Sequence, residues 1–288
     1  MGSQMAGTKH ILAVDLGTSG PKVALVSTAG EVSDIEFEPN HVDLLPGGGA
    51  EQDPDEWWRS VMAAVRRLLG RGLVPAGDIV AVSCTGQWSG TVPVDEDGDH
   101  LMNAVIWRDS RGLPHLDSIM RGIVTYRGWS VWKIARWIRI SAGIPGPAGK
   151  DPIAHILFIK NERPDVYRRT YKFLEPKDWL NMKFSGRFAA TWDSITLHWV
   201  TDTRDPLSVR YDDWLVARST IDREKLPDLV RAVDVIGPIR REGAEDLGRD
   251  PGGVGVGGSP DVQSASVGSG AVGDFEAHLY YGTSSWIT

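Results

Sequence analysis

Residues 11–28 read ILAVDLGTSGPKVALVST, and the fold turns on how this stretch is taken. Two apolar runs, HILAVDL (10–16) and KVALVST (22–28), flank a polar turn rich in glycine, serine and threonine, which is the pattern of strand, tight turn and strand. A third run, EVSDIEFE (31–38), follows the Ala29-Gly30 turn, so the chain opens as a three-stranded meander. Outward from it, GGGAEQDPDEWW (47–58) leads into a helix. Asp53 is its expected cap, with Pro54 at the first helical position and Glu56 three residues beyond the cap. Trp58, Met62, Val65 and Leu69 then recur at helical spacing and mark its buried face. IVAVSCTG (79–86) reads as a buried strand, and residues 90–107 read as a hairpin turned at Asp97-Gly98. Strands and helices alternate, which is α/β logic.

The middle of the chain reads as mainly helical. Asp151-Pro152 opens one helix, which halts before Pro164, and residues 176–186 give another, closed by Gly186. A glycine-dense run from 248 to 270 follows, in which GVGVGG (253–258) is a strand feeding a helix after Ser259-Pro260. Glycine at this density marks backbone that a ligand or another segment approaches closely. The helix keeps an apolar stripe at Val262, Ala265 and Val267.

Composition removes several function classes. The 288 residues carry a net charge of −7, which argues against nucleic acid and acidic membranes as partners, and the local basic stretch RGWSVWKIARWIRI (127–140) does not reverse that balance. The single cysteine, Cys84, sits in an apolar strand, where it reads as a small buried hydrophobe. One cysteine gives no internal disulfide, and a cytoplasmic location is expected. No apolar run approaches the roughly 18 residues of a membrane span. The seven histidines share no helical i, i+3 or i, i+4 spacing, so a zinc site is not expected. Of the twelve tryptophans, Trp129, Trp132 and Trp137 lie in the middle and read as core filling, although an indole face also suits the apolar side of a sugar.

Four places could carry chemistry. In VDLGTSGPK, Gly17, Thr18 and Ser19 offer backbone N–H groups and hydroxyls, Lys22 a cation, and Asp15 a carboxylate for Mg²⁺ or its waters, the parts that a phosphate chain needs. A plain hairpin turn uses the same residue types, and the segment is not a Walker loop, since a strand follows it. In GGSPDVQSAS, Ser259 can cap, Pro260 suits the first turn and Asp261 stands at a helix start, at the floor of a cleft if the glycines allow it. Such a carboxylate can accept the proton of a hydroxyl attacking a γ-phosphate. In CTGQWSG, Gln87, Trp88 and Ser89 leave a strand end, where ligands of open α/β sheets bind. In IWRDSR, Trp107 and Asp109 lie beyond a strand, and the Arg-Asp pair there is either a ligand clamp or a local ion pair.

In order along the chain, AVDLGTSGPKVAL, GQWSG, AVIWRDSRG, FLEPKDWLNMKFSG, VGVGGSPDVQSASVGSGAV and YYGTSSWI resemble the FGGY family of carbohydrate kinases, most closely its xylulokinase branch. The resemblance implies an actin-like, ribonuclease-H-like α/β fold of βββαβαβα type, a mixed sheet flanked by helices, with a helical middle insertion. It implies ATP-dependent phosphorylation of a sugar hydroxyl, D-xylulose to D-xylulose 5-phosphate being the leading case. ATP and Mg²⁺ are the implied cofactors, and sugar and ATP the partners. Asp261 matches the family's proton acceptor and substrate contact, and Asp15 its magnesium-linked acid. Gly17, Thr18, Ser19 and Lys22 match the first phosphate turn, and Gly282, Thr283 and Ser284 the second. Gln87, Trp88, Ser89, Trp107 and Asp109 fall on the substrate side. Xylulokinases usually carry Gly-Gln-Met-His-Gly where this chain has GQWSG, so ribulose, glycerol or gluconate remain alternative substrates.

The resemblance also sets the expected organisation. Residues 1–9 form a disordered tail, 10–275 the sugar-binding domain, and 276–288 the first strand of a nucleotide domain of about 200 further residues. The stretch as given is then expected to be inactive alone, or a sugar-binding remnant without catalysis. A homodimer is left open, because an uncovered strand edge invites pairing.

Overall fold

The computed structural model describes residues 8–240, 253–281 and 285–288. The three opening runs are the strands β1 (His10–Gly17), β2 (Gly20–Ser27) and β3 (Val32–Phe37), paired antiparallel in succession. The β1–β2 register sets Asp15 opposite Lys22 and closes with Gly17 opposite Gly20, so Thr18 and Ser19 form the turn. Gly20 has φ 144°, and a Cβ there would stand 2.0 Å from the Glu38 carbonyl oxygen, which leaves room for glycine alone.

Helix α1 (Pro54–Gly70) starts as the sequence suggests, with the Asp53 carboxylate accepting the Asp55 N–H at 2.9 Å. Glu56 does not return the bond to the cap. It accepts the His41 N–H instead and ties the preceding loop to the helix. The buried face is rotated by one position from the expected stripe. Trp57, Val61, Ala64 and Leu68 join Met62 and Val65 inside, while Trp58 and Leu69 are only half-buried. Trp58 lies at a seam, its ring 5.0 Å from Phe184.

Strand β4 (Ile79–Gly86) runs parallel to β1. The expected hairpin forms as antiparallel bridges from Thr91 to Val105 and Val94 to His100, with Gly98 at φ 89°. The middle supplies α2 (Val131–Ser141), α3 (Pro152–Glu162), α4 (Pro176–Ser185) and α5 (Asp213–Ser219). Gly186 ends α4 at φ 74°, its N–H reaching the Met182 carbonyl. Strands β5 (Val235–Pro238) and β6 (Val254–Val256) complete a six-stranded sheet in the order β5-β6-β4-β1-β2-β3. β6 is parallel to β4 and β5 antiparallel to β6, so the sheet is mixed, as expected from the sequence. Helix α6 (Asp261–Gly268) follows β6.

Two apolar cores result. One packs α1 and α4 on the sheet through Leu12, Val14, Trp57, Leu68 and Trp179, and the other fills the helical middle with Trp137, Ile156, Phe173 and Leu215. Each fully buried side chain of this size contributes about 1.5–3 kcal/mol. Trp129 and Trp137 are buried as expected, but Trp132 is 76 % exposed. Burial pushes the Cys84 thiol up to about 12, which makes it an inert core side chain. The α6 stripe is not buried: Val262 and Ala265 are half-covered and Val267 is exposed, because this short helix meets the sheet chiefly through Thr85 and Ser264.

At the chain ends, residues 1–7 of the expected tail lie outside the described residues, while Lys9 is held by Asp78 at 2.8 Å. Among the described residues of 276–288, Leu279–Tyr281 and Ser285–Ile287 form two short strands paired antiparallel, where a single strand is expected. Gly282, Thr283 and Ser284 lie outside the described residues. Among the described residues, no helix is long and apolar enough to cross a membrane.

Candidate active site

β1, β4 and β6 run parallel, so their carboxyl ends open on the same edge of the sheet. β1 delivers Asp15 and the Gly17–Ser19 turn there, β4 delivers Gln87-Trp88-Ser89, and β6 delivers Gly257-Gly258-Ser259-Pro260-Asp261. A cavity of about 730 Å³ lies among them, and its wall includes Asp15, Gly17, Thr18, Ser19, Lys22, Trp88, Ser89, Trp107 and Asp261. Residues drawn from four separate stretches thus meet in one place.

Gly258 makes that meeting feasible. Its φ is 64°, and a Cβ there would stand 1.9 Å from the Cys84 carbonyl oxygen, so only glycine lets this connection press against β4. From the other side α4 grips the same turn. The Gly257 carbonyl accepts bonds from Asn181 Nδ2 at 2.8 Å and Lys177 Nζ at 3.2 Å, both on buried side chains. Asp178 neutralises Lys177 and accepts a bond from the Ser194 hydroxyl.

Asp261 is the first residue of α6, after Pro260 in the cap position. Ser259 does not cap with its side chain; its carbonyl accepts the Ser264 hydroxyl. Burial, then the negative charge of Asp15, push the Asp261 carboxyl up to about 6, against the opposing pull of the Val262, Trp88 and Asp261 N–H groups. Across the cavity, Lys22 Nζ stands 3.3 Å from Asp15, and both side chains remain open to solvent.

Four expected ligand contacts, Gln87, the Thr18 hydroxyl, Asp109 and the Ser89 hydroxyl, are occupied by the protein itself. Gln87 is 3 % exposed; it accepts the Thr18 hydroxyl at 3.0 Å and donates to Gln52 Oε1 at 2.7 Å. Thr18 Oγ1 also accepts from Trp107 Nε1 at 2.9 Å, so its hydroxyl holds the turn in place. Asp109 is fully buried and away from the cavity wall. It accepts the Ala50 N–H at 2.8 Å and the Arg111 N–H and Nε at 2.9 and 2.8 Å, so the local ion pair is the reading that the geometry carries. Trp88 is fixed by Nε1 on the Ser194 carbonyl at 3.0 Å, and Ser89, at φ 66°, donates to the Lys150 carbonyl at 2.7 Å.

The structure adds residues that the sequence reading lacked. Gln52 braces the turn, donating to the Thr18 and His41 carbonyls at 2.9 and 2.8 Å. Thr85 Oγ1 binds Ser264 Oγ at 3.0 Å and pins the start of α6 to β4. Leu197, Tyr280 and Trp286 also line the wall. A buried glutamine beside a helix cap carries no local pattern that would distinguish it.

Residues 10–268 match the family model described as the FGGY family of carbohydrate kinases, N-terminal domain. The chain belongs to that family. It is 27 % identical over 274 residues to the xylulose kinase of Escherichia coli strain K12, a match covering 95 % of this chain and 52 % of that protein. Among solved structures it superposes on the xylulose kinase of Rhodospirillum rubrum with TM-score 0.84 at 19 % identity, covering 97 % of this chain and 54 % of that one. It matches Plasmodium falciparum glycerol kinase with ADP equally well, at TM-score 0.84, 17 % identity and coverage of 99 % and 55 %. At these identities the superpositions establish the actin-like FGGY fold. The chain spans about half the length of the curated relatives it matches.

Proposed function

We propose that this FGGY chain is the sugar-holding side of an ATP-dependent kinase that phosphorylates a hydroxyl of a ketose or polyol, with D-xylulose as the leading substrate. The observation that carries this reading is the Asp261 carboxyl, held at about 6 on the cavity wall that also presents Asp15 and Lys22. Just above that value the group is ionised, yet basic enough to take a proton from an attacking hydroxyl. The sugar oxygen then bonds to the γ-phosphorus, the bond from that phosphorus to the bridging oxygen breaks, and ADP leaves with the electron pair. Trp88 and Trp107 offer flat faces to the sugar's C–H side, and Lys22 and the Gly17–Ser19 turn offer positive potential to the phosphates. Asp15 is a hard oxygen donor open to the cavity, which suits Mg²⁺ directly or through water. When bound, that ion neutralises charge on the polyphosphate.

The test is a coupled ADP-release assay over D-xylulose, D-ribulose, glycerol and gluconate, run on this chain and on a longer form carrying a nucleotide-binding half. The longer form should release ADP only with sugar, most rapidly with D-xylulose, and Asp261→Asn should abolish that release. Release independent of sugar, or full activity in Asp261→Asn, would defeat the reading. A higher rate with glycerol would move the substrate toward the polyol class, in keeping with the likeness to a glycerol kinase.

A further inference from the structure

A second concavity, of about 740 Å³, lies between α2, α5 and the loop that carries Arg204, and shares no lining residue with the Asp15–Asp261 cavity. Its cationic side chains are Lys133, Arg136, Arg139, Arg204 and Arg218, against one carboxylate, Asp212. That carboxylate caps α5 through the Leu215 N–H at 2.9 Å. Arg204 is matched by Asp202, at 2.8 and 2.7 Å. Among the described residues the other four have no carboxylate partner. Arg136 and Arg218 lie over the Trp214 ring at 4.5 and 5.9 Å, and Lys133 Nζ donates to the Ile119 and Arg121 carbonyls at 2.6 and 2.8 Å.

Three arginines without a carboxylate partner, and a lysine whose amine rests on backbone carbonyls, therefore share one groove in a chain whose net charge is −7. Burial, and to a lesser degree the charge of Arg218, hold the Lys133 amine below its ordinary value. Lys133, Arg136 and Arg139 recur every third residue of α2 on the side that lines the groove. Gathering like charges costs free energy that a bridging anion recovers, and arginine forks fit phosphate oxygens in pairs. Trp132, 76 % exposed on the same wall, adds a flat apolar surface.

We propose that this groove binds a small molecule carrying two or more phosphate groups, gripped by Lys133, Arg136, Arg139 and Arg218, with Trp132 against its organic part. A small ligand is favoured over a lipid surface because the charges line a shallow concavity between two helices and a loop rather than one continuous flat face.

The experiment is isothermal titration of the 288-residue chain with inorganic tripolyphosphate, beside the same titration of Arg136→Ala, Arg139→Ala and Lys22→Ala. Each arginine variant should lose about tenfold in affinity, the loss of one charge-assisted contact. Lys22→Ala, altered only in the other cavity, should retain this site. Arg136→Gln and Arg139→Gln, which keep the side-chain stems, serve if an alanine variant melts early. The proposal falls if the wild type does not bind, if the arginine variants titrate like the wild type, or if Lys22→Ala alone abolishes binding. It falls too if phosphatidylglycerol vesicles bind this face and tripolyphosphate cannot displace them.

Discussion

Asp261, the proton acceptor proposed above, is held at a cost to the fold. Its carboxyl keeps a proton up to about pH 6 in the folded chain, whereas an ordinary aspartate loses it near 3.8. The folded state therefore binds more protons between those values, and the stabilisation is full below about 3.8 and lost as pH rises through about 6. At pH 7 the ionised group weighs against folding, so Asp261→Asn should gain about 3 kcal/mol in urea melts at pH 7 and gain almost nothing at pH 3.5. An equal effect at both pH values would show that the charge is not the cause. In the longer form, sugar-dependent ADP release should decline below about pH 6 as the base is protonated. Asp15 and Asp261 were legible in the sequence because each stands at the end of an apolar run beside a glycine or proline signal. Gln87 and Asp109 were not. Whether a polar side chain faces a cavity or a neighbouring segment depends on pairings such as Gln87 with Gln52, 35 residues apart, which no local pattern encodes.

The connection from β6 to α6 is fixed from both sides, by the Cys84 carbonyl against Gly258 and by Lys177 and Asn181 on the Gly257 carbonyl. Gly258→Ala should destabilise the chain by about 2–4 kcal/mol, since both the left-handed φ and the 1.9 Å approach forbid a Cβ. Urea melts measure it, and a loss within 0.5 kcal/mol, the ordinary range of surface changes, would mean that the turn can shift away from β4. The strands, the helix starts and the Gly186 stop were legible because turn residues and proline act locally. The rotation of the α1 face was not, because Trp57 and Trp58 are equally apolar and only the packing against β2 and α4 decides which is buried.

Across the molecule, the alternation of strands and helices announced the α/β class, but the strand order depends on β6 joining β4 more than 160 residues away. That pairing brings the cavity-wall residues at the ends of β1, β4 and β6 together, while the helical middle packs a core of its own. Trp88 and Ser89 are set by two such distant contacts, with Ser194 and Lys150. Exchanging them for Met and His in the longer form should raise the preference for D-xylulose over glycerol, measured as the ratio of kcat/KM. An unchanged ratio would remove these positions from substrate choice.

The cavity wall carries three indoles, Trp88, Trp107 and Trp286, whereas the basic groove carries Trp132 and Trp214. Five of the twelve tryptophans thus stand at the two concavities, in two separate groups. Occupancy of either should shift the emission of its own group, and single Trp→Phe changes, read against the other seven tryptophans, assign the signal to its source.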